Sequence, residues 1–302
     1  MSLGCNCEQG LSNTGVPACV PIQSVTSTLI MVPLESNAGI KNAIDLSAAV
    51  PVWADYVNEI DESKRWFPLP QFENVELPKA DSQFEEANSG RMAFLRQGKR
   101  SFTGELWADD SSPTLLSKLQ NNRCVEFGVY IIDVNGNLVG SQVGDRLFPI
   151  PVDNPSFNPT YMFATDSTVS KIVVAFDFDR LFDEGTMYMI QPDEAGINFN
   201  SLQGLIDVNF ADFTEVANTS VTFNAEFDYG TAYNKILLKG LVAADFALYN
   251  NTTSSAEVIG SVTPNLPLEG NYTVAFVFVT GESYTLSISK TGFTGSITFT
   301  AT

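Results

Sequence analysis

Residues 71–107 read QFENVELPKADSQFEEANSGRMAFLRQGKRSFTGELW, and the folding of this stretch decides the architecture of the chain. Turn-forming residues stand at Asn88-Ser89-Gly90 and again at Gln97-Gly98-Lys99. The segments between them are extended in character but too polar to be buried on both faces. Acid lies on one arm, Glu85 and Glu86, and base on the next, Arg91, Arg96, Lys99 and Arg100. The stretch therefore reads as a projecting β-ribbon. A lone two-stranded ribbon is marginal in water, and its unpaired edges need a partner, most simply another copy of itself. In that arrangement the six charged residues pair across strands or subunits and set register. Contact with phosphate is the competing reading of the basic cluster.

Composition narrows what such a ribbon can do. The 302 residues are 44% hydrophobic and 17% charged, enough to bury a core in one large domain or two ordinary ones. A net charge of −19 opposes broad binding to nucleic acid or anionic membrane, both of which need a positive face. No apolar run reaches the roughly 18 residues of a membrane span; Val274–Val279 is the greasiest short run. No basic region followed by an apolar one opens the chain, so no secretory signal is expected.

The chain contains no histidine. Ser–His–Asp and Cys–His catalysis and His-ligated metal centres are thereby excluded. Cys5, Cys7 and Cys19 crowd the first 19 residues and Cys124 stands apart; they read as reduced thiols on a loose arm, or as a metal or disulfide clip. Chemistry on two carboxylates remains open. Asp109-Asp110 and Asp177 with Asp179 are such pairs, but the latter two alternate with Phe176 and Phe178 and should point into solvent. Gly98-Lys99 lacks the rest of a phosphate-binding loop. The expectation is no enzyme, no catalytic residue, no cofactor and no metal.

Glycines and prolines mark residues 1–24 as an arm, and Ser24–Val32 as the first strand. Trp53, Tyr56, Val57 and Ile60 share one face of a short helix, with Pro51 in its first turn. Ser112 caps and Pro113 starts a second helix through Gln120, with Leu115, Leu116 and Leu119 on its apolar side. Cys124–Asp133 and Leu138–Val143 flank Val134-Asn135-Gly136-Asn137, a strong hairpin signal. Asp133, Asn135 and Asn137 also have the spacing of a calcium loop, but Gly144 stands where its bidentate glutamate belongs. Prolines at 149, 151, 155 and 159 predict a long surface loop over 145–168. Strands follow at Lys171–Phe178 and Thr186–Gln191, and Leu202–Val208 carries no clear signal.

All three tryptophans and all four cysteines precede Asp212, where the character of the chain changes. Beyond it short strands recur at 219–227, 235–242, 245–250, 256–262, 270–279, 283–289 and 295–301, the pattern of an antiparallel sandwich of immunoglobulin-like architecture. Tyr272 is either a tyrosine corner or a plain half-buried strand residue. The predicted organisation is an arm (1–24), a β domain (25–212) and an Ig-like β-sandwich (213–302).

The phrase Phe102-Thr103-Gly104-Glu105-Leu106, then a capped helix, then Phe127-Gly128-Val129-Tyr130-Ile131-Ile132-Asp133 resembles the major tail tube proteins of tailed bacteriophages. The likeness spans most of residues 70–145 and the general layout. It implies a mainly β fold: a tail-tube-type sandwich or barrel with a flanking short helix and a long inter-subunit ribbon, followed by the Ig-like sandwich. It implies a structural virion protein with itself as partner, in homohexameric rings that stack through loops and an arm. The tube would be a conduit for DNA ejection, passing genomic double-stranded DNA and meeting a tape-measure protein, with a tail sheath possible around it and no membrane contact. Such a protein assembles in the host bacterial cytoplasm and resides in the virion. The helix near 51–60 and the loop at 145–168 have no place in the family pattern. A phage neck, baseplate or tail-terminator ring protein, a glycan-binding surface adhesin and a carboxylate-only hydrolase are the alternatives.

Overall fold

The computed structural model describes residues 22–86, 88–107, 111–216, 219–231, 233–265 and 269–302, with Gly15 and Val20 before them. Most of the expected arm, with Cys5, Cys7 and Cys19, lies outside the described residues. The fold is mainly β, in two sandwiches with separate apolar cores.

The first domain is built around the antiparallel pair Thr26–Pro33 and Phe127–Asp133, in register from Leu29 opposite Ile131 to Pro33 opposite Phe127. Both strands are buried on both faces, and the side-chain period of two divides their residues between two cores. Leu29, Met31, Phe127, Val129 and Ile131 face a second, four-stranded sheet. Its strands run in the order Asn158–Met162, Lys171–Asp177, Ser101–Trp107, Glu73–Glu76. Phe102, Leu106, Ile172, Val174 and Phe176 line its inner side, and Leu119 of the helix Pro113–Asn121 closes the end. Ser112 caps that helix as expected, its hydroxyl accepting from the Leu115 N–H at 3.1 Å.

Ile30, Val32, Tyr130 and Ile132 face the opposite way, into an aromatic layer with Trp53, Trp66 and Phe199. Trp53 meets Phe199 edge to face at 4.8 Å and donates its indole N–H to the Ala195 carbonyl at 2.8 Å. The helix carrying it is one turn shorter than its pattern suggests. It ends at Val57, Val52 is its cap, Pro51 precedes it, and Ile60 is 90% exposed.

Two further expectations are corrected. Residues 145–168 are not a long loop: they hold the strands Arg146–Phe148, Ile150–Pro151 and Asn158–Met162. The prolines are tolerated because Asn158–Met162 is an edge strand and Ile150–Pro151 a two-residue pairing on Phe127–Asp133. The change of character at Asp212 does not mark the domain break either. Ile206–Val216 is already a strand of the second sandwich, and Asp212, at φ 50°, sits in a bulge between Ala211 and Thr214. The first domain thus ends at Leu205.

The second domain follows the strand order Ser255–Glu257, Phe246–Asn250, Ser283–Ile288, Phe293–Thr300, Ile206–Val216, Ser220–Gly230, Asn271–Ala275, Ser261–Pro264. Its first strand runs parallel to its last, Ile206 opposite Phe293, and antiparallel to its second. This is immunoglobulin-type pairing, with both halves contributing to one core. The tyrosine at the corner is Tyr284, not Tyr272. Tyr284 is the second residue of the strand Ser283–Ile288 and its hydroxyl accepts from the Val279 N–H, five residues upstream, at 3.0 Å. Tyr272 is fully buried and its hydroxyl ties down the distant loop at Leu238 and Leu241. Among the described residues no helix is long and apolar enough to cross a membrane.

The hairpin turn after Phe127–Asp133 is held by hydrogen bonds to the Asp133 carboxylate. Asp133, with 0% exposure, accepts from the N–H groups of Asn135 and Asn137, from the Asn137 amide and from the Ser24 N–H. Asp133→Ala would strand the two buried Asn137 donors and release the Asn135 and Ser24 N–H groups. It should lower stability by about 3 kcal/mol, read from the denaturant midpoint; a loss under about 1 kcal/mol would contradict this role.

Candidate functional site

The ribbon is present, and shorter than its sequence suggests. Gln83–Glu86 and Met92–Arg96 form a two-stranded sheet that pairs with no other described strand. All nine residues are exposed. Asn88, Ser89 and Gly90 turn the chain at the tip, where Gly90 adopts φ 77°. Thr103 belongs instead to the four-stranded sheet.

Register places Phe84 opposite Phe94 and Glu86 opposite Met92 on one face, with Glu85 opposite Ala93 on the other. The two phenylalanines meet edge to face at 5.6 Å yet remain half exposed. Phe84 at 52%, Phe94 at 50%, Leu95 at 55% and Met92 at 62% make the ribbon an apolar surface in water. Its two outer edges carry no backbone partner among the described strands.

Gln97-Gly98-Lys99 is not a turn. Here the chain passes directly from the ribbon into Ser101–Trp107, with Lys99 carbonyl accepting from the Ala80 N–H at 2.8 Å. A Cβ at Gly98 would lie 1.7 Å from the Ala80 carbonyl oxygen, so only glycine permits this crossing of the two legs.

The six charged residues separate into two groups. Lys99 and Arg100 clamp the base. The Lys99 ammonium reaches Asp153 at 2.7 Å and Asp177 at 3.2 Å, while Ser101 donates to the other oxygen of Asp177 at 2.7 Å. Glu184 accepts from Arg100 Nε and from Lys79, each at 2.8 Å, and Arg100 also donates to the Leu77 carbonyl. At the base end of the ribbon, Arg96 donates to Gln83, its register partner, at 2.7 Å. Among the described residues Glu85, Glu86 and Arg91 have no ion-pair partner. The expected pairing across the strands within one ribbon is therefore not made, because Glu85 and Glu86 stand opposite Ala93 and Met92.

Sequence reading missed Lys79, Asp153 and Glu184, and placed Asp177 free in solvent. Asp177 does lie on the face away from Phe176 and Phe178, but it is half-buried under Lys99 and Ser101. These anchors lie 54 to 105 residues from their partners, beyond any local pattern. Asp109 and Asp110 lie outside the described residues. Among the described residues no group of acids and cysteines has the arrangement of a metal site.

The clamp has a pH signature. Hydrogen bonds from Arg100 and then Lys79 hold the Glu184 carboxyl below its usual range, against the opposing effect of burial. A carboxyl depressed in the folded state contributes stability above its unfolded value, about 4.3, and loses it as pH falls through the folded value. The Lys99 ammonium is raised, chiefly by its bond to Asp153, so its contribution is present at neutral pH and lost only in strong alkali. Exchange of the Ala80 and Ser101 amides, corrected for intrinsic rate, should therefore accelerate below about pH 4. Glu184→Gln should accelerate it about fivefold at neutral pH. Unchanged exchange in both cases would contradict a clamping role.

In comparisons with known proteins, no protein-family model matches the chain and no curated protein sequence matches it.

Proposed function

We propose that the chain is a structural subunit of a phage tail tube that assembles, without catalysis, into stacked hexameric rings. The observation that carries this reading is the clamped ribbon Gln83–Arg96, with half-exposed Phe84, Met92, Phe94 and Leu95 and no further strand partner among the described residues. A soluble monomer gains nothing from such a surface; a subunit that meets its own kind gains an interface.

Charge favours a head-to-tail contact. One outer edge belongs to the strand with Glu85 and Glu86, the other to the strand with Arg96, preceded by Arg91. Joining the acidic edge of one ribbon to the basic edge of the next pairs opposite charges. A two-fold contact through the acidic strands would set like charges against each other. Head-to-tail contacts of this kind close into rings or continue as filaments.

The four-stranded sheet supports the same geometry, since both its outer strands, Asn158–Met162 and Glu73–Glu76, are edges in the described chain. On its face away from the core Glu105 is paired with Lys171 and Asp177 with Lys99, which leaves Glu73 and Glu76 as its excess negative charge. Turned inward in a ring, that face would repel DNA phosphates and let a genome slide past without specific binding. The tape-measure protein and the sheath, as partners, and residence in the virion after assembly in the bacterial cytoplasm follow from the same proposal.

Phe84→Ser combined with Phe94→Ser should leave a folded subunit with an unchanged melting midpoint and weaken assembly at least about a hundredfold, measured by light scattering and negative-stain microscopy. Charge provides the sharper assay. Glu85→Lys/Glu86→Lys and Arg91→Glu/Arg96→Glu should each assemble poorly alone, yet co-assemble when mixed. Tubes formed equally well by every variant would show that the ribbon is not the interface.

A further inference from the structure

A cleft of about 1120 Å³ separates the two domains, lined from one side by Leu69, Leu115 and Asn198 and from the other by Asp207 and Tyr229. The apolar cores on its two sides share no residue. The connection is firm as far as Leu205. Leu202 and Leu205 pack on the aromatic layer of the first domain, and a Cβ at Gly204 would meet the Pro68 carbonyl at 3.0 Å. Ile206 is already in the second sandwich, its N–H donating to the Gly292 carbonyl. The pivot between the domains is therefore the Leu205–Ile206 link.

Across the cleft a cation of the first domain meets two like charges of the second. Val208 pairs with Phe227, which sets Asp207 directly opposite Asp228 on the neighbouring strand. Like charges in that position repel. The cation that neutralises them comes from the first domain. Lys118, on the helix Pro113–Asn121, bonds both Asp207 and Asp228, the latter at 3.0 Å, and its ammonium lies 5.4 Å from the Tyr229 ring centre. Asn209 holds Asp228 in place from its own strand, and Thr114 reaches the Asp228 carbonyl at 3.5 Å.

We propose that Lys118 is a latch: it fixes the second sandwich against the first domain, and its release lets the sandwich swing about Leu205–Ile206 and open the cleft. Domains joined by small polar contacts move relative to one another by default, and here one ammonium bridges two carboxylates from across the cleft. The inference stands apart from the assembly reading.

The test measures interdomain distance in the full chain. All four cysteines are replaced by serine, spin labels are placed on Asp55→Cys and Lys235→Cys, and labelled protein is diluted into unlabelled protein. Double electron–electron resonance should give one narrow distance for the otherwise native chain. Lys118→Met should add a second, displaced population, raising the open fraction roughly tenfold, whereas Lys118→Arg should stay narrow. Asp207→Asn/Asp228→Asn removes the repulsion between the strands and should still unlatch the domains, which separates a latch from a mere stabiliser of the strand pair; it also decides the matter if Lys118→Met fails to fold. A single narrow distance in the double asparagine variant would overturn the proposal, as would one in a folded Lys118→Met.

Discussion

Two strands with no third partner and no sheet packed on them cannot hold their own shape in water, and this constraint governs the ribbon Gln83–Arg96. What holds it is at its base. Gly98 lets the two legs cross at backbone contact, and Lys99, Arg100 and Lys79 tie them to Asp153, Asp177 and Glu184. Each ion pair is only partly buried and is worth little alone. Together they converge from both legs on three acids held by the body of the domain, and that convergence gives the ribbon a direction. Beyond the clamp the apolar side chains stay exposed, and Glu85, Glu86 and Arg91 have no ion-pair partner among the described residues.

The body that carries the clamp is rigid for a different reason. Thr26–Pro33 and Phe127–Asp133 are buried on both faces, so one strand pair is the shared wall of two cores. Any tilt of this wall would open one core while crowding the other, and close-packed interiors resist both. The four-stranded sheet stacked on it supplies Asp177 and Ser101, while Asp153 and Glu184 come from the loops beside it. The ribbon therefore projects from a sheet packed on that shared wall. By contrast the second sandwich is held across a cleft by polar contacts centred on Lys118, so the two appendages differ in mechanical character.

Features encoded within a few residues were legible in the sequence. Ser112-Pro113 marks a helix start and Asn135-Gly136 a hairpin, and the structure has both, because capping and left-handed turns depend on the residue at the position itself. The immunoglobulin-like alternation was equally readable, since burial on one face imposes a period of two. Features set by distant partners were hidden. Nothing near Lys99 announces Asp153 and Asp177, and nothing near Glu184 announces Arg100. Prolines over 145–168 suggested a loop because local pattern cannot show that Asn158–Met162 is an edge strand, where a missing N–H does no harm. The composition change at Asp212 marked a bulge inside a strand rather than a domain break. The six ribbon charges read in the sequence as pairs across strands or subunits; geometry puts Lys99 and Arg100 in the clamp, ties Arg96 to Gln83, and leaves Glu85, Glu86 and Arg91 without an ion-pair partner among the described residues.

The central claim is that the clamped ribbon exists to join copies of this chain head to tail. Sedimentation velocity of the purified protein across a wide concentration range tests it most directly. The account predicts a reversible or complete shift from the 32.9 kDa subunit to a ring of six, or to longer stacks, with no stable dimer. A subunit that remains monomeric at the highest concentration, or that stops at a two-fold dimer, would contradict it.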